Sequence, residues 1–236
     1  MTIALKPAHQ HQHGSRLSAF ERKANDFCPT PPDLAVSLAL GLARLGLDLP
    51  RVALDPCGDG ALRRFLAPFG VEVRLSDLYP ETYPTADGYV TRQPFDASAP
   101  EHLRYAFELA GADCTAIVTN TPHNTKEACA IVENLIALVE GQHVEFVTAL
   151  FRSIWGAEPG RWRYLNRPSF YGEILCCWRP RWIAGSEGSP MHAYAWYVWR
   201  KTPQSGPSFK VRVGKHELIA CSGDVARRAL HPYPRS

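Results

Sequence analysis

The chain has no long apolar run and no secretion signal, and its cysteines follow no paired pattern. No stretch approaches the roughly 20 apolar residues that a helix needs to cross a bilayer, so no membrane partner is expected. The N-terminus lacks the charged-then-apolar pattern of a secreted protein. The seven cysteines are scattered and odd in number, which suits a reducing compartment. These absences predict a cytoplasmic protein of a bacterial-type or phage-infected cell.

Metal-ligand spacing and a strong charge imbalance are also missing. Cys57, Cys176 and Cys177 do not form paired Cys-x-x-Cys ligands, so buried structural thiols are favoured and no metal is predicted. The HQHQHGS stretch near the N-terminus could catch a metal, but a solvated tail is the favoured interpretation. The net charge of +3 permits nucleic-acid binding without arguing for it.

The length and composition fit one large domain with irregular ends, since the chain has 236 residues and is 45% hydrophobic. The polar residues 1–24 are predicted to form a disordered tail. Residues 25–201 are predicted to form the main domain. Residues 202–236 are predicted to be a C-terminal extension, with a small hairpin over 208–221 that turns at Gly214.

Short apolar strands alternate with helices from about residue 30 onwards. The first helix is predicted over TPPDLAVSLALGLARLGL, with Pro31 and Pro32 in its first turn and Thr30 as its cap. This alternation indicates an α/β fold: a Rossmann-like sheet, mostly parallel with an antiparallel last strand, and helices on both faces. Further helices are predicted over 60–70, 100–111 and 125–141, and strands over 51–56, 71–77, 114–120, 143–150, 172–178 and 193–200.

The first candidate binding segment is the loop Asp55-Pro56-Cys57-Gly58-Asp59-Gly60, which follows a strand and opens a helix. Gly58 and Gly60 would let the backbone approach a ligand closely, and a helix N-terminus favours a negative group. Ligands of open α/β sheets bind at the carboxyl ends of the strands. The loop is therefore predicted to contact a cofactor through Asp55, Cys57, Gly58 and Gly60, although a simple tight turn is the alternative.

Two more acidic residues are predicted to meet this loop. Asp77 ends the next strand and could accept hydrogen bonds from ribose hydroxyls, or it could cap a surface turn. Asp96 precedes the third helix and could accept a hydrogen bond from an adenine amino group. Phe95 could pack on the adenine ring or belong to the core.

The loop differs from that of a nicotinamide enzyme, because the pattern G-x-G-x-x-G is absent. No pyrophosphate therefore needs a glycine-lined cradle here. Asp55 stands before the glycines instead, and its carboxylate would favour the positive amine of a sulfonium cofactor's amino-acid end.

The segments CPTPPDLAVSLALGL, LDPCGDG, SDLYP, FDAS and IVTNTPHN occur in that order. The chain resembles class I S-adenosylmethionine-dependent methyltransferases over about residues 27–200. Its motif order is similar to that of DNA adenine-N6 methyltransferases of small phages and prophages, in which the cofactor motifs precede the catalytic motif. The resemblance implies a Rossmann-like methyltransferase sheet and S-adenosyl-L-methionine as cofactor.

The resemblance also implies a role for each cofactor motif. Thr30 and Pro31 would flank the methionine end of the cofactor, while Asp55 and Gly58 would line it. The ribose and the adenine would be held by Asp77 and Asp96, respectively.

The catalytic motif of the resemblance is Asn120-Thr121-Pro122-His123, at the end of an apolar strand. The lone pair of an adenine amine is delocalised, so the amine needs acceptors for its two N–H groups that aim the nitrogen at the methyl group. The Asn120 side chain and the Thr121 carbonyl could be those acceptors. Thr121 lacks the dihedral lock of the usual proline, and His123 stands where an aromatic residue would stack on the base. A plain turn with a solvated His123 is the alternative.

Arginines and aromatic residues interleave in residues 151–201, a pattern that suits binding of nucleic acid. The family resemblance implies that this nucleic acid is DNA. In AYAWYVW, alternation instead predicts a core strand, with Tyr194 and Trp196 on one face and Tyr197 and Trp199 on the other. The predicted nucleic-acid contacts are Arg161, Arg163, Arg167, Arg179 and Arg181, beside Trp162.

Three kinds of function remain open from the sequence. The leading hypothesis is an enzyme that transfers a methyl group to an exocyclic amine, foremost N6 of adenine in DNA, with an RNA base or a protein amide as alternative acceptors. The second is an inactive methyltransferase fold that binds nucleic acid. The third is a dehydrogenase-like nucleotide binder.

Overall fold

A computed structural model describes residues 29–56, 58–83, 87–122, 125–182, 191–203 and 207–220, so the predicted tail over 1–24 lies outside the described residues. Within these ranges no helix has the length and apolarity needed to cross a membrane. The helices are α1 (Pro32–Arg44), α2 (Ala61–Leu66), α3 (Pro100–Leu109), α4 (Thr125–Glu140), α5 (Trp162–Leu165) and α6 (Lys215–Ala220). The strands are β1 (Val52–Asp55), β2 (Glu72–Leu75), β3 (Cys114–Asn120), β4 (Phe146–Arg152), β5 (Phe170–Cys176), β6 (Tyr194–Arg200) and β7 (Phe209–Val213).

The strands form one seven-stranded sheet in the order β2-β1-β3-β4-β6-β5-β7. Strands β2, β1, β3 and β4 pair in parallel, as do β5 and β7, whereas β6 is antiparallel to both β4 and β5. Strand β6 is the last strand within residues 25–201, so the predicted antiparallel last strand is β6, and it lies between β4 and β5 in the sheet. The predicted fold class is confirmed.

The predicted hairpin over 208–221 is wrong. Strand β7 pairs with β5 as an edge strand of the main sheet, and α6 follows it in place of a second hairpin arm. The side chain of Glu217 accepts a hydrogen bond from the backbone N–H of Gly214. A glutamate three residues after the glycine is a sequence signal for the start of a helix, because its side chain accepts the backbone N–H of the glycine. The hairpin prediction considered Gly214 alone.

Each face of the sheet carries its own apolar core. Because side chains alternate along a strand, β1 places Ala53 in one core and Leu54 in the other. Helices α1, α2 and α6 cover the first face, and α3 and α4 cover the second. The prediction for β6 is confirmed: Tyr194 and Trp196 lie in the first core, and Tyr197 and Trp199 lie in the second.

The start of α1 differs from its prediction in one residue. Pro31, not Thr30, occupies the N-cap position, and no side chain caps the helix. The Pro31 carbonyl accepts hydrogen bonds from Leu34 and Ala35, and Pro32 has no N–H to satisfy. Thr30 itself is buried. The two prolines therefore fix the helix start without a side-chain cap.

Substitution of Gly41 by alanine should destabilise the protein, because α1 packs on β5 at this residue. An added Cβ would lie 2.2 Å from Cγ2 of Ile174, which is fully buried. Alanine favours a helix by roughly 1 kcal/mol over glycine, but overpacking of a core costs about 1–3 kcal/mol. We expect a net loss in the unfolding free energy measured by urea denaturation. The same change in an Ile174→Ala background should cost less, and an equal cost in both backgrounds would contradict the clash.

Candidate functional site at the carboxyl edge of the sheet

Three polar residues meet where the parallel strands end. Asp55 is the last residue of β1, Asp77 follows β2, and Asn120 is the last residue of β3. The register pairs Asp55 with Leu75 and Leu54 with Ile117, so these strand ends are direct neighbours. Asp55 and Asp77 are only 2% and 8% exposed. The structure thus brings two predicted cofactor carboxylates and the predicted catalytic residue to one edge.

Asp77 organises the loop after β1. Its Oδ2 atom accepts the backbone N–H of Gly58 at 2.6 Å, and its Oδ1 atom accepts that of Tyr79 at 2.7 Å. The Tyr89 hydroxyl donates to the Gly58 carbonyl at 2.8 Å. Gly58 has φ of 108°, a conformation that favours glycine. The loop is therefore held from two sides around a residue that needs to be glycine.

The carboxylate of Asp77 keeps acceptor capacity beyond these contacts. Each carboxylate oxygen can accept two hydrogen bonds, and each uses one for the backbone. Burial raises the pKa of Asp77, while the two backbone N–H groups oppose that shift. Asp77 thus caps a turn, as the alternative interpretation of the sequence predicted. Each of its oxygens can still accept one more hydrogen bond.

The segment with Phe95 and Asp96 lies beside Asp77. The Phe95 N–H donates to the Asp77 carbonyl at 2.8 Å, and the buried Phe95 ring makes T-shaped contacts with His102 and Tyr105. Phe95 therefore belongs to the core, as one alternative held. Asp96 Oδ1 accepts two hydrogen bonds from Ser98. Between β2 and Asp96, the described residues form a single isolated parallel bridge, between Tyr89 and Leu75.

The N-terminus of α1 lies at the same edge of the sheet, beside β5. Trp178, just after β5, donates from Nε1 to Asp33 Oδ2 at 2.6 Å. The Ser37 hydroxyl and the Cys176 thiol lie 3.2 Å apart. Burial raises the pKa of the Asp33 carboxyl, and it raises that of Cys176 to about 12. Thr30 and Pro31 are thus placed beside the strand ends by contacts that sequence reasoning missed.

The turn after β3 has an anchor that a proline could not provide. Asn120 pairs in register with Leu150 of β4, and its Oδ1 atom is buried. Thr121 is 2% exposed, and its hydroxyl donates to the Leu150 carbonyl at 3.2 Å. This hydrogen bond restrains the turn where the ring of proline is missing. Pro122 is half-buried, whereas His123 lies outside the described residues, as does Cys57 of the first loop.

Two of the predicted nucleic-acid contacts prove to be structural. Arg161 is buried: its guanidinium donates to the Cys129 sulfur and to Glu158, and it lies over the Trp155 ring. Arg167 is half-buried and pairs with Glu133 at 2.5 Å and Glu140 at 2.8 Å. The prediction that Arg161 lies on the surface is wrong, because its side chain is buried and pairs with Glu158. Arg167 stays partly exposed, but two carboxylates of α4 offset its charge.

The other three predicted arginines are exposed in two different places. Arg163 lies on α5, where it donates to the Tyr164 hydroxyl. Arg179 and Arg181 follow β5 at the carboxyl edge. Of the described residues, no group of three or more forms a cluster of metal ligands.

Comparisons with known proteins give similarities of fold at low identity. No protein-family model matches the chain, and no curated protein does. A Listeria monocytogenes protein described as a class I S-adenosylmethionine-dependent methyltransferase is 10% identical, with a TM-score of 0.45; the match covers 89% of this chain and 72% of that one. Spodoptera frugiperda DNMT2 is 13% identical with a TM-score of 0.36, covering 75% of this chain and 51% of that one. Schizosaccharomyces pombe Dnmt2 is 10% identical with a TM-score of 0.33, covering 80% and 53%.

The chain spans about half the length of each of these two Dnmt2 proteins. At such identities and TM-scores, the similarities do not assign an activity to the chain.

Proposed function

We propose that the protein is an S-adenosylmethionine-dependent methyltransferase that acts on an exocyclic amino nitrogen, with N6 of adenine in DNA as the preferred acceptor. One observation carries the proposal: the Asp77-held glycine loop and the Asn120-Thr121 turn lie at the ends of neighbouring strands. A cofactor at the first would lie beside an amine at the second. The predicted cytoplasmic location stays a prediction.

The residues present fit the cofactor. Asp55 supplies a buried carboxylate for its amine, and Asp77 supplies lone pairs for ribose hydroxyls. A Cβ built on Gly58 would meet nothing within 4 Å, so the loop backbone borders open space. Thr30 and Pro31 lie at the same edge for the methionine end, and Asp96 follows Phe95 for the adenine. The bound cofactor supplies an electrophilic methyl group.

The chain's own part in the reaction is to position the amine. The buried Oδ1 of Asn120 and the Thr121 carbonyl accept the two N–H groups, which turns the nitrogen lone pair towards the methyl donor. Fixed acceptors at this point also stabilise the positive charge that develops on nitrogen. The surplus proton then leaves to solvent, so no general base is needed.

Calorimetric titration with S-adenosylmethionine tests the proposal first. We expect micromolar binding, since enzymes of this kind work near cellular cofactor levels. Incubation with deuterated methyl donor and duplex DNA, single-stranded DNA or RNA, followed by nucleoside mass spectrometry, then identifies the acceptor. Label on N6-methyladenine in DNA supports the proposal, and label on RNA or on a protein amide replaces the acceptor. No binding heat up to millimolar cofactor would refute the proposal and favour the inactive, nucleic-acid-binding alternative.

A further inference from the structure

A patch of cationic and aliphatic side chains, most of them exposed, lies beside the Asn120 turn, and only Arg179 among its residues was predicted from the sequence to contact nucleic acid. We call it the edge patch and define it by Arg152, Ile154, Arg179, Met191 and His192. It comprises the residues that leave β4 and β5 and those that enter β6. The Ser153 N–H donates to the Ala193 carbonyl at 3.0 Å, which holds two of these segments side by side.

The edge patch adjoins the proposed amine site through β4. The Thr121 hydroxyl donates to the Leu150 carbonyl. Arg152 follows Leu150 by two residues on the same strand, which corresponds to about 7 Å. An acceptor nucleotide at Asn120 would therefore have its neighbouring nucleotides over the edge patch.

Among the residues that the structure describes, no carboxylate pairs with the arginines of the edge patch. Arg152 and Arg179 are exposed, and neither forms an ion pair within the described ranges, unlike Arg161 and Arg167. Burial and the charges of these two arginines lower the pKa of His192, which places both guanidinium groups near one imidazole. The edge patch therefore presents concentrated positive charge, which attracts phosphates.

Two large aliphatic side chains project within this charged surface. Ile154 is 59% exposed and Met191 is 66% exposed. Apolar side chains such as Ile and Met can insert between the base steps of DNA. Arginines for phosphates next to aliphatic groups for bases match a nucleic acid better than an acidic peptide, which offers charge without flat apolar faces.

We propose that the edge patch binds the DNA strand on either side of the extruded adenine. Arg152 and Arg179 contact its phosphates, and Ile154 and Met191 pack against the bases that flank the gap. This inference rests on the proposed function for the identity of the acceptor. It places the nucleic-acid interface at the strand ends and not at Arg161 and Arg167, because these two arginines are already paired.

Fluorescence anisotropy with labelled DNA tests the edge patch. For Arg152→Ala/Arg179→Ala we expect at least about tenfold weaker binding and a salt slope reduced by about 2, since each lost phosphate contact removes about 0.9. Ile154→Ser/Met191→Ser should weaken binding without changing the salt slope, and it should slow methyl transfer.

The matched control removes two exposed arginines elsewhere. Arg51 precedes β1 at the opposite edge of the sheet, and Arg104 is exposed on α3. Arg51→Ala/Arg104→Ala should retain most of the DNA affinity. Equal weakening by this control would overturn the inference, as would wild-type affinity in the edge-patch variants.

Cofactor titrations separate this inference from the proposed function. Variants that bind S-adenosylmethionine normally are folded, so their DNA affinities are interpretable. If the wild type binds cofactor but no DNA, the inference fails while methyl transfer to another acceptor stands. If it binds DNA through the edge patch but no cofactor, the edge patch stands as a DNA-binding surface, while the extruded adenine and the methyltransferase proposal fail.

Discussion

Replacement of Asn120 by alanine should reduce the rate of methyl transfer by about 10²–10³-fold, the usual cost of losing one positioned acceptor or donor in an active site. The substitution removes the buried Oδ1 atom and leaves the Thr121 carbonyl as the lone acceptor for the amine. The loop held by Asp77 lies on other strands, so cofactor affinity should not change. Single-turnover transfer of a labelled methyl group to DNA, with calorimetry alongside, measures both quantities.

Asn166→Ala is the matched control for this experiment. Asn166 is exposed just after α5, away from the strand ends, and the same change there should leave the rate intact. An Asn120→Ala protein that keeps the wild-type rate would exclude the proposed role of this side chain. An Asn120→Ala protein that loses cofactor binding would indicate that the substitution disrupts the structure at the carboxyl ends of the strands.

Local pattern was enough to predict the layers and every strand of the sheet except β7, which was assigned to a separate hairpin. The alternation in AYAWYVW correctly divided the aromatic residues of β6 between two cores, because a strand's side-chain period is fixed by backbone geometry. The order of strand, glycine loop and helix likewise placed Asp55 and Gly58 at the carboxyl edge. These features depend on residues close together in the sequence.

Contacts between residues far apart in the chain could not be predicted from the sequence. Asp33 and Trp178 are 145 residues apart, and nothing in either segment signals their hydrogen bond. Arg161 and Arg167 were predicted to contact nucleic acid, because the sequence does not show that their carboxylate partners lie beside them, on α4 and in the loop before α5. Side-chain charge shows that a residue can bind phosphate, but only tertiary packing shows whether a carboxylate has already neutralised it.

The departure at Thr121 illustrates the same dependence on packing. As a sequence change, it removes a conformational lock from the catalytic turn. In the structure, the hydroxyl ties the turn to the Leu150 carbonyl of the adjacent strand. A hydrogen bond across the sheet can replace a restraint within the chain, so the altered motif is compatible with a preorganised site.

Replacement of Asp77 by alanine should weaken S-adenosylmethionine binding by about 10²-fold, since each hydrogen bond to a charged group contributes about 1.5–3 kcal/mol. The change removes the acceptor for ribose hydroxyls and releases the Gly58 N–H. Calorimetric titration measures the loss directly. Asp48→Ala, in an exposed loop after α1, removes the same charge and should leave the affinity unchanged.

A cofactor analogue without the two ribose hydroxyls separates the two roles of Asp77. If the carboxylate binds the ribose, the analogue should bind the wild type weakly, and Asp77→Ala should weaken it much less than it weakens S-adenosylmethionine. If Asp77 acts only by holding the Gly58 loop, the substitution should weaken both ligands equally. In that case the ribose assignment would be wrong, and Asp77 would be a positioning residue for the loop that Tyr89 braces from the other side.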